Sequence, residues 1–262
     1  MKRIMISAAM TLCAVLFQVS VQCADVSARP MNWYCVHVHD GTQPQCDPEM
    51  EFIGQYGGYY IDKNNSDPCA AEKVIYLTFD AGYENGNIEK ILDVMKAEGV
   101  TGAFFILENL VNKEPDLVRR MADEGHLVCN HTASHKDMTK YRTKESFLAE
   151  LSRMEELCLE KTGVTMAKYY RPPEGRFSEE NMLFASEAGY KTVFWSFGYV
   201  DWDNAHQMQP EDALDKIMSG IHNGEVLLLH PTSATNAEIM GDLIRQLRSK
   251  GFRFGTLDEL TE

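Results

Sequence analysis

The side chains best suited to chemistry stand at or just after apolar runs; in chain order they are Asp80, His131, His135, Arg171, Asp201 and His230. Two histidines separated by three residues can share one zinc ion through neutral imidazoles. A carboxylate can accept a proton, a guanidinium can orient that carboxylate and keep it ionised, and a further histidine can donate a proton. The set therefore predicts a cation site flanked by a base and an acid.

Each of these residues also has a structural interpretation when it is taken alone. Asp80 could open a turn or cap the next helix, and a pair of histidines is often structural. Arg171 could form an ion pair on the rigid turn made by the two prolines that follow it. Asp201 could face solvent, and His230 could be a hydrogen-bonded core histidine. Convergence of all of them at one place favours the functional interpretation.

Seven apolar runs predict the strands that position this set, at residues 74–79, 103–107, 127–130, 169–171, 192–197, 226–229 and 252–257. Helical patterns separate several of these runs, so the chain is α/β. Strands that alternate with helices imply a parallel sheet, open or closed into a barrel. Because parallel strands place their carboxyl ends on one face, the polar residues that follow them should meet there.

The helices are predicted from apolar periodicity and from the residues that start and stop them. The first has apolar residues from Ile88 to Met95 at helical spacing, with Gly99 placed to end it. Others are predicted after Pro115, between Phe147 and Gly163, after Ser178 up to Gly189, and from Ile239 to Leu247 before Gly251.

Five short motifs, TFDAGYENG, HTASH, RPPEG, DW and LLLH, resemble in order and spacing those of the NodB-homology polysaccharide deacetylases, carbohydrate esterase family four. The resemblance spans roughly residues 74–260. The stretches TVFWS and VDW, with TFDxGYENG, are similar to the subgroup of peptidoglycan N-acetylmuramic acid deacetylases that prepare muramic δ-lactam. The resemblance implies a distorted (β/α) barrel of about seven parallel strands and metal-assisted hydrolysis of an N-acetyl group.

The resemblance also implies a role for each site residue. Asp80 is the general base, Arg171 positions it, and Asp201 tunes His230, the general acid. His131 and His135 are ligands of a divalent metal; imidazoles suit zinc, cobalt and nickel alike, and zinc is the ion we expect. Substrate contacts are expected at Tyr83, Pro172, Trp202 and Leu228.

One position departs from the family pattern. The usual motif has a second acid after the base, which serves as the third protein ligand, and this chain has Ala81 there. Two imidazoles alone should hold an ion less tightly, because catalytic zinc sites normally use three protein ligands. The muramic-acid subgroup also lacks that acid. Glu84 and Asn85 are the nearby candidates for a replacement ligand.

The first 24 residues have the layout of a secretory signal peptide: a basic start, an apolar stretch over residues 4–21, and small residues at the end. An uncleaved membrane anchor is the alternative, because the apolar stretch is nearly long enough to span a bilayer. Either interpretation places the working part outside the cytoplasm, secreted or attached to the outer face of the membrane.

The net charge of the chain limits the kinds of partner that it is expected to bind. The net charge is −14 over 262 residues, with no basic cluster, so nucleic acid is not an expected partner. Residues 25–73 read as an irregular extension that packs on the main domain, residues 74–262. That extension holds Cys35, Cys46 and Cys69, among which one disulfide is plausible, although their odd number prevents complete pairing.

The leading hypothesis is therefore a secreted, monomeric, metal-dependent deacetylase of cell-wall glycan, most simply peptidoglycan. Another N-acetylglucosamine polymer is an alternative substrate. A glycan-binding homologue with weak or no catalysis is the alternative from a different class, and Ala81 is the evidence for it.

Overall fold

The computed structural model describes residues 26–262. The predicted signal peptide or anchor, residues 1–24, lies outside the described residues. Among residues 26–262, no helix combines the length and apolar character needed to cross a membrane.

The described chain contains ten strands: β1 Met31–Asn32, β2 Gly58–Tyr59, β3 Lys73–Ala81, β4 Ala103–Ile106, β5 Leu127–Asn130, β6 Ala167–Tyr170, β7 Arg176–Phe177, β8 Lys191–Val193, β9 Glu225–Leu229 and β10 Phe252–Phe254. Its α-helices are α1 Ile88–Glu98, α2 Glu108–Lys113, α3 Pro115–Asp123, α4 Lys144–Thr162, α5 Glu179–Glu187, α6 Pro210–Gly220, α7 Ala234–Ser249 and α8 Leu257–Leu260. Short 3₁₀ helices lie at Pro48–Tyr56, Met138–Lys140 and Pro173–Gly175.

The main sheet is parallel and curls into a distorted barrel, which confirms the predicted fold class. Strands β3, β4, β5, β6 and β8 are successive neighbours, and β9 pairs with the other edge of β3. Beyond β8 the chain reaches Phe197, which forms a parallel bridge with Leu227 of β9. Backbone pairing therefore returns to β3 and closes the ring around one interior.

Side chains of β3 alternate between that interior and the helical layer, as a strand requires. Val74 and Tyr76 belong to the interior cluster, together with residues of β4, β5, β6 and β9. Ile75, Leu77, Phe79 and Ala81 belong to the large cluster formed with the helices. Asp80 shares the interior face, so the strand aims its carboxylate into the mouth of the barrel.

Five predicted helices are confirmed, and their ends follow the residues expected to stop or cap them. Gly99 ends α1 and Gly163 ends α4, both in the left-handed conformation. The Ser178 hydroxyl accepts a hydrogen bond from Asn181 N–H and caps α5. Helices α2, α6 and α8 are not predicted by the sequence patterns.

Two of the predicted strands extend at least three residues beyond the observed strand. Strand β8 ends at Val193, because the carbonyls of Val193 and Phe194 turn inward and accept hydrogen bonds from Arg171. The run at 252–257 stops at Phe254, since Thr256 caps α8.

The segment before the main domain contributes to the same sheet. Gly58 and Tyr59 pair in parallel with Thr192 and Val193 of β8. Trp33 lies in a separate small apolar cluster with residues of the Pro48–Tyr56 helix and of α5. The extension therefore packs on the barrel through both backbone pairing and side-chain burial.

Candidate active site

Asp80 and Arg171 form a buried ion pair at the mouth of the barrel. Nη1 of Arg171 lies 2.8 Å from Oδ1 of Asp80, and the arginine side chain is completely buried. Asp80 lies near the carboxyl end of β3, whereas Arg171 follows β6, so the closed sheet brings together residues 91 positions apart. Asp80 thus has a partner across the barrel, and the N-cap of α1 is Asn87.

Arg171 is held in one orientation by all three nitrogens of its side chain. Nε donates to the carbonyl of Val193 at 2.9 Å, and Nη2 donates to Thr78 Oγ1 at 2.9 Å and to the carbonyl of Phe194 at 3.1 Å. Its guanidinium also lies 4.2 Å from the ring centre of Phe105. A fully buried cation is costly unless its donors are satisfied, and here every nitrogen of the guanidinium has at least one acceptor.

The environment of Asp80 keeps it ionised. Burial alone would raise the Asp80 pKa, but electrostatic interactions with His131, Arg171 and His230 and the hydrogen bond from Arg171 outweigh burial and lower it below the ordinary value. Arg171 is the one partner that is charged at every relevant pH. Asp80 is therefore a carboxylate at neutral pH, with Oδ2 left to face the site.

His131 presents a free nitrogen towards that carboxylate. Its Nδ1 lies 2.9 Å from the backbone carbonyl of Arg171, which fixes the proton on Nδ1 as the donor. Its Nε2 lies 3.5 Å from Oδ2 of Asp80. Burial lowers the pKa of His131 to about 4 in spite of the nearby carboxylate. The imidazole is therefore neutral at pH 7, the form that binds metal ions.

The turn that carries both histidines is strained and held from several sides. Thr132 and His135 have positive φ values of 72° and 54°. The Asn130 side chain accepts the N–H of Thr132 at 2.9 Å, and the Thr132 hydroxyl accepts the N–H of His135 at 3.0 Å. Glu150 of α4 accepts the N–H of Ser134 at 2.7 Å. Non-glycine residues at such angles persist where the surroundings impose them, commonly at functional sites.

The turn brings the two imidazoles together. Their ring centres lie 5.0 Å apart, with His131 buried and His135 exposed at the mouth. The buried, neutral Nε2 of His131 and the adjacent ring of His135 fit a shared divalent cation. Within residues 26–262, no group of three or more His, Cys, Asp and Glu side chains is placed to hold a metal ion.

Neither Ala81 nor Glu84 supplies a third ligand in the described structure. Ala81 is fully buried among the residues that face the helices. Glu84 folds back onto its own turn and accepts the backbone N–H of Gly86. Burial raises the Glu84 pKa, and its Oε2 has no hydrogen-bond partner among the described residues.

His230 and Asp201 form the second charged pair of the site. Nδ1 of His230 lies 2.7 Å from Oδ1 of Asp201, and the backbone N–H of His230 donates to Oδ2 at 2.7 Å. Asn236 of α7 donates to Oδ2 of Asp201 at 2.6 Å and to the carbonyl of His230 at 3.0 Å. The hydroxyl of Tyr199 donates to the Asn236 side chain and fixes its orientation.

This pairing makes His230 a stronger base than ordinary histidine. Burial lowers the His230 pKa, but the hydrogen bond and charge of Asp201 outweigh burial, and the pKa is raised overall. Because Nδ1 is committed to Asp201, Nε2 is the nitrogen available to a substrate. A protonated His230 can therefore donate from Nε2 while the charge stays neutralised behind it.

The four predicted substrate contacts differ in exposure. Tyr83 and Trp202 are exposed at the rim, and the Trp202 ring centre lies 5.7 Å from that of His230. The Tyr83 hydroxyl accepts a hydrogen bond from Asn204 at 2.6 Å, which ties the two rim loops together. Pro172 and Leu228 are buried, so any contact they make with substrate would be limited to a small part of their surface.

Thr78 and Asn236 were missed as site residues. Thr78 is two residues before Asp80, and the alternation of β3 would have placed it on the same face. Asn236 stands in the first turn of α7, where capping is the ordinary explanation for an asparagine, and the sequence carried no further signal for it.

The known proteins that this chain resembles in sequence include polysaccharide and peptidoglycan deacetylases. Residues 67–193 match the family described as polysaccharide deacetylase. The peptidoglycan-N-acetylmuramic acid deacetylase PdaA of Bacillus subtilis is 37% identical over 242 residues, which cover 92% of this chain and 89% of that protein. A peptidoglycan-N-acetylglucosamine deacetylase of Bacillus cereus is 32% identical over 190 residues, 71% of this chain and 67% of that protein.

The solved structure of Bacillus subtilis PdaA, described as a family 4 carbohydrate esterase, is also similar. It matches with a TM-score of 0.83 and 37% sequence identity, covering 90% of this chain and 98% of that chain.

Proposed function

The chain belongs to the polysaccharide deacetylase family, whose members hydrolyse the amide bond of N-acetyl groups, and on that premise we propose that its substrate is peptidoglycan and its target N-acetylmuramic acid. The target sugar is supported by the 37% identity to an N-acetylmuramic acid deacetylase. The hydrolytic reaction is supported by the position of Arg171, whose side chain orients the Asp80 carboxylate while its carbonyl orients His131. Base and expected cation ligand thus share one support, which keeps them side by side.

Asp80 is the base in the proposed reaction. It takes a proton from the attacking water on Oδ2, because Oδ1 is occupied by Arg171. Deacetylases of this family are generally metal-dependent. A divalent cation bound by His131 and His135 would polarise the acetyl carbonyl and increase the acidity of water. The backbone N–H groups of Gly82 and Tyr83 stand in the turn after Asp80, where they can stabilise the developing oxyanion.

His230 is the acid in the proposed reaction. An amine is a poor leaving group unless it is protonated as the carbon–nitrogen bond breaks. The raised pKa of His230 keeps a larger fraction protonated at neutral pH, and Asp201 holds the ring with Nε2 towards the site. The products are acetate and a glycan with a free amine, which in muramic acid can go on to the δ-lactam.

Two other functions have a specific observation in their favour. The Bacillus cereus relative is named for N-acetylglucosamine, which supports that sugar as an alternative target. The lack of a third metal ligand among the described residues supports a weakly active glycan binder. Retention of both charged pairs, Asp80 with Arg171 and Asp201 with His230, favours catalysis.

The extracytoplasmic location is also part of the proposal. It is supported by the leader-like composition of residues 1–24 and by a substrate that lies outside the cell membrane.

Acetate release tests the proposed function directly. Purified protein is incubated with intact peptidoglycan, with glycan strands stripped of their peptides, and with an N-acetylglucosamine polymer, after chelation and after titration with zinc, cobalt or nickel. Mass spectrometry of the digested products identifies the deacetylated sugar. Loss of acetyl groups from muramic acid is expected; binding without acetate release at every metal loading would instead identify a binder.

A further inference from the structure

Two cysteines of the extension lie opposite each other. Cys35 and Cys46 form an isolated antiparallel bridge, in which two residues face each other directly. Their Cα atoms are then about 4.5–5.5 Å apart and their side chains leave the same face of the ladder. A disulfide needs Cα atoms about 4.4–6.8 Å apart with converging side chains. The backbone therefore already has the geometry of a cystine.

Both thiols lie against the same small apolar cluster. Cys35 and Cys46 pack at its edge beside Tyr60, whose hydroxyl accepts the backbone N–H of Cys46 at 3.3 Å. Burial and the neighbouring Cys46 sulfur raise the pKa of Cys35 to about 12. Cys69 is exposed and is not part of this bridge, so the structure resolves which two of the three extension cysteines face each other.

The loop between these two cysteines wraps the floor of the barrel, the amino ends of its strands. The His37 ring stacks on Phe197 with centroids 4.3 Å apart. The Gln43 side chain donates to the carbonyl of Asp62 at 2.6 Å and to that of Asn223 at 2.9 Å. These contacts join the loop to the segment before β9, yet the loop has no regular secondary structure of its own. A covalent closure would therefore act where ordinary backbone pairing is sparse.

We propose that Cys35 and Cys46 form an intramolecular disulfide that closes this loop on the barrel floor, leaving Cys69 free. Formation requires a disulfide-containing oxidant. One Cys thiolate attacks a sulfur of the oxidant and expels its first thiol, and the second Cys thiolate then attacks the protein sulfur of the mixed disulfide and expels the second thiol. One sulfur–sulfur bond breaks, another forms, and two protons and two electrons leave the protein in two reduced thiols of the oxidant.

The disulfide supports the extension at its contact with the site. Trp33, two residues before Cys35, stacks on Phe194 with centroids 4.4 Å apart and donates to the carbonyl of Trp195 at 2.8 Å. The carbonyl of Phe194 accepts a hydrogen bond from Arg171. The proposed cystine is thus connected through packed residues to the back of the arginine, although its formation does not depend on the proposed catalysis.

Peptide mapping after refolding tests the pairing. Because the thiolate is the reacting form and burial suppresses it in the folded protein, oxidation is carried out during refolding in a glutathione redox buffer. Trypsin leaves Cys35 and Cys46 in one peptide that ends at Lys63 and places Cys69 in the next, and cleavage before Asp40 separates the pair. We expect alkylated Cys69 and two fragments joined through Cys35 and Cys46. Alkylation of both, or linkage of either to Cys69, would overturn the proposal.

Thermal unfolding separates the crosslink from ordinary packing. Reduction of the oxidised wild type should lower Tm by roughly 5–10 °C, because the closed loop restricts the unfolded chain. The Cys35→Ser/Cys46→Ser double variant should have the lower Tm with or without reductant. Cys69→Ser is the matched control and should keep the full response to reduction. A wild type whose Tm does not respond to reductant would contradict a stabilising disulfide.

Discussion

Two histidine–carboxylate pairs lie at opposite ends of the barrel and differ in charge. At the mouth, His230 and Asp201 are 2.7 Å apart, and the histidine pKa is raised. At the floor, Nδ1 of His222 lies 3.3 Å from Oε2 of Glu225, both side chains are fully buried, and burial lowers the His222 pKa to about 4. Burial also raises the Glu225 pKa well above its ordinary value.

A serine also contacts the histidine of the pair at the floor. The Ser196 hydroxyl lies 2.9 Å from Nε2 of His222 and accepts the backbone N–H of Val226 at 3.1 Å. Serine, histidine and glutamate in contact would suggest a nucleophile, but Ser196 is 1% exposed and no substrate can reach it. The same residue types thus form a neutral structural network at one end and a proton-transfer pair at the other. Solvent access and the number of donors to the carboxylate make the difference.

The largest effect is expected for the base at the mouth. Asp80→Asn keeps the shape but cannot accept a proton, so kcat should fall by about 10³-fold or more. Acetate release at fixed metal loading measures the loss, and glycan binding should be largely unchanged. Glu225→Gln at the floor is the matched control, and equal activity of the Asp80 variant and this control would refute the assignment of the base.

Removing the carboxylate behind His230 should have the next largest effect. In Asp201→Asn the His230 pKa loses its main support and falls, so the protonated acid is depleted at a lower pH. The alkaline limb of the pH–rate profile should move to lower pH, with kcat reduced by about 10²-fold. An unmoved alkaline limb would show that His230 is not the titrating acid.

Substitution of Asn236 should have a smaller effect on activity, because Asn236 contacts the Asp201–His230 pair without being part of it. Asn236→Ala removes a donor to Asp201, so we expect about a tenfold loss of kcat and a shift of the pH profile. Asn181 occupies the equivalent capped turn of α5, where its side-chain N and O have no hydrogen-bond partner in residues 26–262. Asn181→Ala should leave the profile in place, and an equal response of both variants would indicate a general helix effect.

Trp202 should affect substrate binding more than the chemical step. Trp202→Ala removes an exposed ring beside His230 that can stack on a sugar face, so KM should rise by about 3- to 10-fold with little change in kcat. Val200, 57% exposed like Trp202, provides the control Val200→Ala. A fall in kcat alone would argue that the ring positions His230 instead of the glycan.

The smallest effect on activity is expected at the floor. Glu225→Gln should leave kcat unchanged, since a protonated glutamate and a glutamine are both neutral. The raised folded-state pKa of Glu225 means that its stabilising contribution is present below the unfolded value and is lost as pH rises through the folded value. Tm of the variant relative to wild type should therefore increase between pH 5 and pH 9. A constant difference would mean that Glu225 is ionised in the folded protein.

The sequence predicted the barrel and the convergence of its polar residues because both follow from repeated local patterns. Apolar runs gave the strands, and the carboxyl ends of parallel strands brought Asp80, Arg171 and His230 together. Local patterns could not show that the backbone of Arg171 fixes the His131 tautomer, or that Asn236 serves Asp201, since such contacts depend on three-dimensional packing. The floor network was missed for the same reason: burial, which sets its charge, is not visible in residue type.

Arg171 holds Asp80 and His131 in a fixed position relative to each other, in addition to its electrostatic effect on Asp80. Its guanidinium holds Asp80, and its carbonyl, one residue before the Pro172–Pro173 turn, holds His131. When thermal motion displaces this turn, carboxylate and imidazole are carried in the same direction. Their separation should therefore vary less than the position of either one, so that the gap in which water is deprotonated keeps its width while the glycan enters and leaves.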